Sequence, residues 1–436
     1  MLSKASLSSL VLLLSATLTR SMPLELDSLD ALEHELDVRT TLPSIDCSGK
    51  RTGIHFTDNS ACQIPVIGQD PMAHCPQSGI LVDPSMTHIS ADYPTYPTIQ
   101  KAIDSIQSDR RKYTIVVMAG TYNETLNITR VAPLTILGQT YDPLDQKKNL
   151  VKVIGGTANY AGRYTDNAFS ASLTVAPNLN ASLTGAGPTG FNVSADTPFG
   201  NTDFRVYNID FSNQEFEQAN GPALAISISR ANAGLYFCGF YSYQDTVYIG
   251  KLGNAYFYKN EIAGQTDFLY GFGTAYISNS KLLMRSCGGG VTAWKGTNTT
   301  FANKYGVYIS SSDLVASNAT IAAKMVGKCA LGRPWNALHR SVFMDCYMDA
   351  SIKPQGYIPW SSQPVPETLM GEYGTYGQGW NPSGRMLTQL SNGVPLVMTT
   401  ELDDNTVKPY RKPEDVFITP DGKSNIGWID TQFYAW

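Results

Sequence analysis

The sequence predicts an all-β solenoid, a parallel β-helix preceded by an N-terminal cysteine-containing extension, on three observations. The 436-residue chain is poor in charge, 16% against roughly 25% in soluble domains, yet rich in turn formers and aromatics, with 37 Gly and 24 Tyr. From about Asp83 it breaks into short β-branched and aromatic runs cut by Gly and Asn, with almost no helical period. Those runs also resemble one another: FRVYNIDF from Phe204, LYFCGFYSY from Leu235, AYFYKNEIAG from Ala255, AYISNSKLLM from Ala275, VYISSSDLV from Val307 and VFMDCYMDA from Val342. Consecutive starts differ by 31, 20, 20, 32 and 35, as coils stacked strand on strand with insertions as loops require. An immunoglobulin-like sandwich has many short strands too, but does not repeat one strand at the length of one coil.

The elements follow in order. Lys4, the apolar run Leu7 to Leu18 and the small residues before Ser21 read as a signal peptide over residues 1–21. The run is too short to span a bilayer core of about 30 Å, and no later segment has 18 consecutive apolar residues. A secreted, extracellular protein is therefore expected, with no membrane association after cleavage. Residues 22–82 form an N-terminal extension or pro-segment holding Cys47, Cys62 and Cys75; its acidic stretch Leu24 to Arg39 suits a removable segment or a surface helix equally. Seven cysteines fit an oxidising compartment, and without any C-x-x-C spacing zinc is not expected; disulfides are expected within the first group. Sequons at Asn123, Asn127, Asn180, Asn192, Asn298 and Asn318 suit a glycosylated surface. Thr98 to Ile106 predicts a short helix and Tyr113 to Met118 a buried strand. The coils occupy residues 83–400 and a tail 401–436. A net charge of −5 with no Lys/Arg cluster excludes nucleic acid as partner, and a monomer is expected.

One stretch of the repeat carries chemistry. Gln244-Asp245-Thr246 and Thr266-Asp267-Phe268 lie in matching surroundings, close to one coil apart. In a parallel solenoid, residues one coil apart stack at roughly 4.8 Å. Two carboxylates that close do not both ionise cheaply, so one is expected to hold a proton while the other stays charged: an acid and a nucleophile from one residue type. An outward ladder of turn aspartates or a calcium site is equally compatible with the spacing alone. Downstream, Arg333 can make a bidentate bond to a carboxylate, Trp335 can stack on a sugar ring, and Pro334 fixes the chain between them.

Together, GTYNE at Gly120 to Glu124, YQDTVY at Tyr243 to Tyr248, TDFLYG at Thr266 to Gly271, LGRPW at Leu331 to Trp335, EYGTYGQG from Glu372 and the following Ser383-Gly-Arg-Met resemble, in order and interval, the signatures of pectin methylesterases. The resemblance implies a right-handed parallel β-helix and an esterase that cleaves galacturonate methyl esters of pectin to methanol and pectate, without metal or cofactor. By position it implies Asp267 as nucleophile, Asp245 as acid and then base, Arg333 as the group orienting Asp267, Gln244 as an oxyanion donor and Trp335 as a subsite contact; Tyr270, where the family has Phe, and Tyr122 are expected as further substrate contacts. One position departs. The family's second oxyanion glutamine falls as far before Gln244 as Asp245 falls before Asp267, and there this chain has Pro222, which has no donor. Losing one such donor typically costs about 100- to 1000-fold in turnover, so activity is expected to be reduced unless a group such as Gln218 substitutes. The rival reading is a catalytically weakened β-helix that binds pectin or another wall polymer. A serine hydrolase is disfavoured because only His339 of five histidines lies in the repeat region and no G-x-S-x-G occurs.

Overall fold

The computed structural model describes residues 60–76, 79–185, 194, 196–297, 304–360 and 364–434. The expected signal peptide, residues 22–59 with the acidic stretch and Cys47, and the sequons at Asn192 and Asn298 lie outside them.

Short strands separated by short turns give three long parallel sheets, of twelve, eight and six strands. Each full coil visits all three: Asn254–Tyr258 in the twelve-stranded sheet, Glu261–Gly264 in the eight-stranded and Leu269–Gly271 in the six-stranded, before Thr274–Ser278 starts the next. This is the parallel β-helix that the repeats predict. Strand pairing corrects their alignment, however: Phe204, Ala233, Ala255, Ala275, Val307 and Ser341 share one column, so successive coils advance by 29, 22, 20, 32 and 34 in the numbering. The runs beginning at Leu235 and Val342 are out of register with that column, by two positions and by one, because aromatics occupy both faces of this sheet and do not mark one.

The inward column Val206, Leu235, Phe257, Ile277, Ile309 and Phe343 fills the coil interior. Alternate residues point outward, yet Tyr207, Tyr236, Tyr256, Tyr276 and Tyr308 are also buried. The C-terminal tail covers them: the Tyr207 hydroxyl donates to Asp430 at 2.7 Å, Tyr256 to the Phe433 carbonyl at 2.8 Å, and Tyr276 to the Arg411 carbonyl at 2.6 Å. The expected helix is Ile99–Asp104, capped by Thr98, with Ile99, Ala102 and Ile103 packed on the first coils.

Disulfides join Cys62 to Cys75, as expected, and Cys287 to Cys329, which no sequence signal marked. Cys238 and Cys346 are buried thiols. The corner after six successive strands of the twelve-stranded sheet holds a left-handed residue: Asn208, Phe237, Lys259, Asn279, Ser311 and Asp345. Two such residues also mark the corner before the six-stranded sheet: Asp245 and Asp267.

Candidate active site

Asp245 has φ +61° and Asp267 φ +47°, a region Asp tolerates better than most residues. Each leads into a strand of the six-stranded sheet, Val247–Ile249 or Leu269–Gly271, whose register pairs Val247 with Leu269. The Asp245 amide donates to the Thr266 carbonyl at 3.1 Å, and Gln244 bridges to Thr266. The two carboxylates thus occupy one column on adjacent rungs, as their spacing predicts, and both are buried.

Arg333 meets Asp267 as a fork, Nε to Oδ1 at 3.0 Å and Nη2 to Oδ2 at 2.6 Å. Its chain segment forms the next rung: Thr292 bridges to Gly332, the Arg333 amide donates to the Thr292 carbonyl at 3.0 Å, and the Cys287–Cys329 disulfide ties the segment's start to the preceding coil. The guanidinium lies 3.8 Å from the ring centroid of Trp360. It passes over Gly289, where any Cβ would strike it. Gly289→Ala is accordingly expected to push Arg333 off Asp267 and, in the esterase that the resemblance implies, to lower kcat by about 100-fold in a folded protein, checked by methanol release beside a thermal melt.

Burial pushes the Asp245 carboxyl well above the usual carboxylate range, and repulsion from Asp267 adds to this against the opposing charges of Arg333 and Lys295. Burial raises Asp267 too, but hydrogen bonds and charge from Arg333 oppose it. Asp267 is therefore the member of the pair that ionises first. The arrangement is a pair of carboxyls that ionise in order, Asp267 before Asp245, as nucleophilic and acid–base work by one pair requires.

The same asymmetry affects stability. A carboxyl whose folded-state pKa is raised stabilises the fold fully only below its unfolded value, near 3.9, and that contribution is lost as pH rises through the folded value. Asp245→Asn is expected to leave the melting temperature unchanged near pH 3.5 and to stabilise the fold progressively above pH 4, by up to about 1–2 kcal/mol, while activity disappears. Equal shifts in melting temperature at both pH values would contradict the assignment of the high pKa to Asp245.

Tyr270 and Trp335 stand beside the carboxylates, their rings 5.7 Å apart, with Tyr248 4.7 Å from Tyr270. Gln244 is half-buried, and no hydrogen bond ties its side-chain amide to another described residue. Two expected contacts are not in this cluster. Tyr122 is a core residue, its hydroxyl given to the Met118 carbonyl at 2.8 Å, and Gln218 is exposed on its loop, with its amide on Asn220 at 3.3 Å. Three residues join the cluster without a sequence signal strong enough to find them. Trp360 covers Arg333. Lys295 is buried with its Nζ 3.3 Å from the Trp335 centroid and 4.4 Å from that of Phe272, its pKa pushed down to about 7 by burial. Asn167 reaches Asp245, Nδ2 to Oδ2 at 3.4 Å. Among the described residues no group of three or more His, Cys, Asp or Glu is placed to hold a metal ion.

The sequence model of the pectinesterase family matches residues 174–410, which include both aspartates, Arg333 and Trp335. The probable pectinesterase A of Aspergillus fumigatus is 28% identical over 306 residues, 70% of this chain and 83% of that protein. The Aspergillus niger pectin methylesterase structure superposes with a TM-score of 0.61 at 21% identity, covering 82% of this chain and 98% of the other. The carrot pectin methylesterase gives 0.59 at 20% identity, with coverage of 77% and 92%. The two structural likenesses speak for the fold, and the family match covers more than half of the chain: it belongs to the pectinesterase family.

Proposed function

We propose that the protein is a secreted pectin methylesterase that hydrolyses galacturonate methyl esters through a covalent aspartyl intermediate, with residues 83–400 as its catalytic coil. The observation that carries this reading is the Arg333 fork on Asp267 one rung from Asp245, the carboxyl that burial pushes well above its ordinary range. The Asp267 carboxylate attacks the ester carbonyl carbon, and the oxygen that gains charge is met by the Gln244 amide. Asp245 gives its proton to the departing methoxide, so methanol leaves and an acyl-enzyme anhydride remains. The Asp245 carboxylate then takes a proton from water, whose oxygen attacks the acyl carbon; Asp267 is released as carboxylate and Asp245 is again protonated. Trp335, packed on Tyr270, offers a face to the galacturonan ring.

Secretion is supported by the N-terminal apolar run, and among the described residues no helix is long and apolar enough to cross a membrane. Asn123, Asn127, Asn180 and Asn318 are exposed sequons open to glycan. The test is methanol release from highly methylated pectin by the purified full-length chain. Release above the spontaneous rate supports the esterase; pectin binding without release favours the weakened binder, whose support is Pro222.

A further inference from the structure

Pro222 lies on the rung before Gln244. The Ala223 amide donates to the Gln244 carbonyl at 3.0 Å in the same pattern by which the Asp245 amide donates to the Thr266 carbonyl. Proline at that rung offers no donor toward the site. The space beside it is occupied by another part of the chain: the Asn159 amide donates to the Pro222 carbonyl at 2.8 Å, and this contact pins the loop that carries Asn167.

That loop is built to aim one amide. Asn159 Nδ2 donates to Asn167 Oδ1 at 2.9 Å, which fixes the Asn167 side chain with its Nδ2 outward, 3.4 Å from Asp245 Oδ2. Asn159 is held in turn by the Tyr164 amide, given to its Oδ1 at 3.0 Å. Next to Asn167 in the chain, the buried Asp166 accepts from the amides of Ala168, Thr184 and Gly185 at 2.7 to 2.9 Å, and Ser170 Oγ accepts from the Leu224 amide at 3.3 Å. A second observation points to a polar ligand at the same spot. The Tyr270 hydroxyl is buried beside Asp245, and its contact with the Asn167 side chain falls short of ordinary hydrogen-bond geometry, so the hydroxyl keeps capacity for a polar ligand.

We propose that Asn167 is a catalytic residue: its side-chain amide, held by Asn159 against Pro222, supplies the oxyanion hydrogen bond that position 222 cannot. The Nδ2 has two hydrogens, so one can remain toward Asp245 while the other meets the oxygen that becomes negative when Asp267 attacks. A donor fixed before the reaction needs no reorganisation when the charge forms, which is why such a bond favours the transition state over the bound ester.

The inference rests on the esterase reading, and one set of measurements separates them: steady-state methanol release from highly methylated pectin by full-length wild type, Asp267→Ala, Asn167→Ala, Tyr270→Phe, Pro222→Gln and the Asn167→Ala/Pro222→Gln double variant, each with a thermal melt. Asn167→Ala is expected to lower kcat by about 100-fold with KM nearly unchanged and the melt preserved. Pro222→Gln placed in that background is expected to restore much of the loss, a rescue that a merely structural role for Asn167 would not allow. Wild-type kcat in Asn167→Ala, with Asp267→Ala inactive, overturns the inference and leaves the esterase standing. So does a Tyr270→Phe loss that Asn167→Ala does not share, which would pass the donor role to the tyrosine. No release from the wild type overturns both.

Discussion

Asp267→Ala is expected to abolish methanol release, with kcat lower by on the order of 10⁴- to 10⁶-fold, the range seen when one member of a covalent catalytic unit is removed. The size follows from how the pair is divided. Asp245 is the buried member without a guanidinium fork, and its carboxyl is pushed well above its ordinary range, so of the two it is the one that holds its proton to higher pH. Only Asp267 has both of its oxygens engaged by Arg333 in a geometry that favours the anion. No other carboxylate is in the column to take over: the preceding rung holds Ala223 and the following one leads to Val291. Folding should survive, because Arg333 remains stacked on Trp360 and its side chain is 23% exposed, enough to hydrate once the partner is gone. The check is kcat with the melt and pectin binding measured on the same preparation. Residual turnover within tenfold of wild type would place the nucleophile elsewhere.

The parts of this site legible in the sequence are those that obey the coil period. Asp245 and Asp267 can be paired from spacing alone because their separation is the length of that coil, the same step that carries Val247 to its partner Leu269, and residues one coil apart stack. Arg333 and Trp335 are legible through a compact motif whose proline and glycine fix its shape. What escapes comes from outside the repeat. Asn159, Asn167 and Trp360 sit on connecting segments whose lengths vary from coil to coil, so nothing in their spacing ties them to the carboxylates. Lys295 ends an otherwise apolar strand run, Thr292–Trp294, and a lysine there reads as a solvated strand end although it is buried against Trp335. Tyr122 misleads for the opposite reason: it lies within a recognisable motif, but the pleat turns its ring into the core. The Cys287–Cys329 disulfide is hidden likewise, since 42 residues of sequence separate two cysteines that the coil sets side by side. The role of the C-terminal tail is illegible on the same physics, because the two tyrosine columns it buries exist only once the coils are stacked.

Arg333→Ala is expected to be the next most damaging change, and its pH signature distinguishes an electrostatic role from a structural one. Removing one partner of a buried ion pair typically costs about 3–5 kcal/mol because the remaining charge is left without compensation, which converts to roughly 10²- to 10⁴-fold in rate. Here the remaining charge can escape by taking a proton. Burial already raises the Asp267 carboxyl, and Arg333 is the group that opposes this rise. Without the guanidinium the pKa climbs further, the reactive anion becomes a minority at neutral pH, and the acidic limb of kcat/KM moves to higher pH. Activity should therefore recover in part as pH is raised, which a distorted site would not do. Stability carries the same sign. Where Asp267 is protonated in both proteins the variant loses little, and its melting temperature should fall progressively below wild type as pH rises from the wild-type pKa to the new, higher one, with a constant deficit beyond it. Arg333→Lys restores the charge without the fork, so it should return much of the pH profile but only part of kcat, since a point charge fixes neither oxygen of Asp267. An unshifted acidic limb in Arg333→Ala would mean that Asp267 does not depend on this guanidinium for its charge, and the division of labour between the two carboxylates would then need another cause.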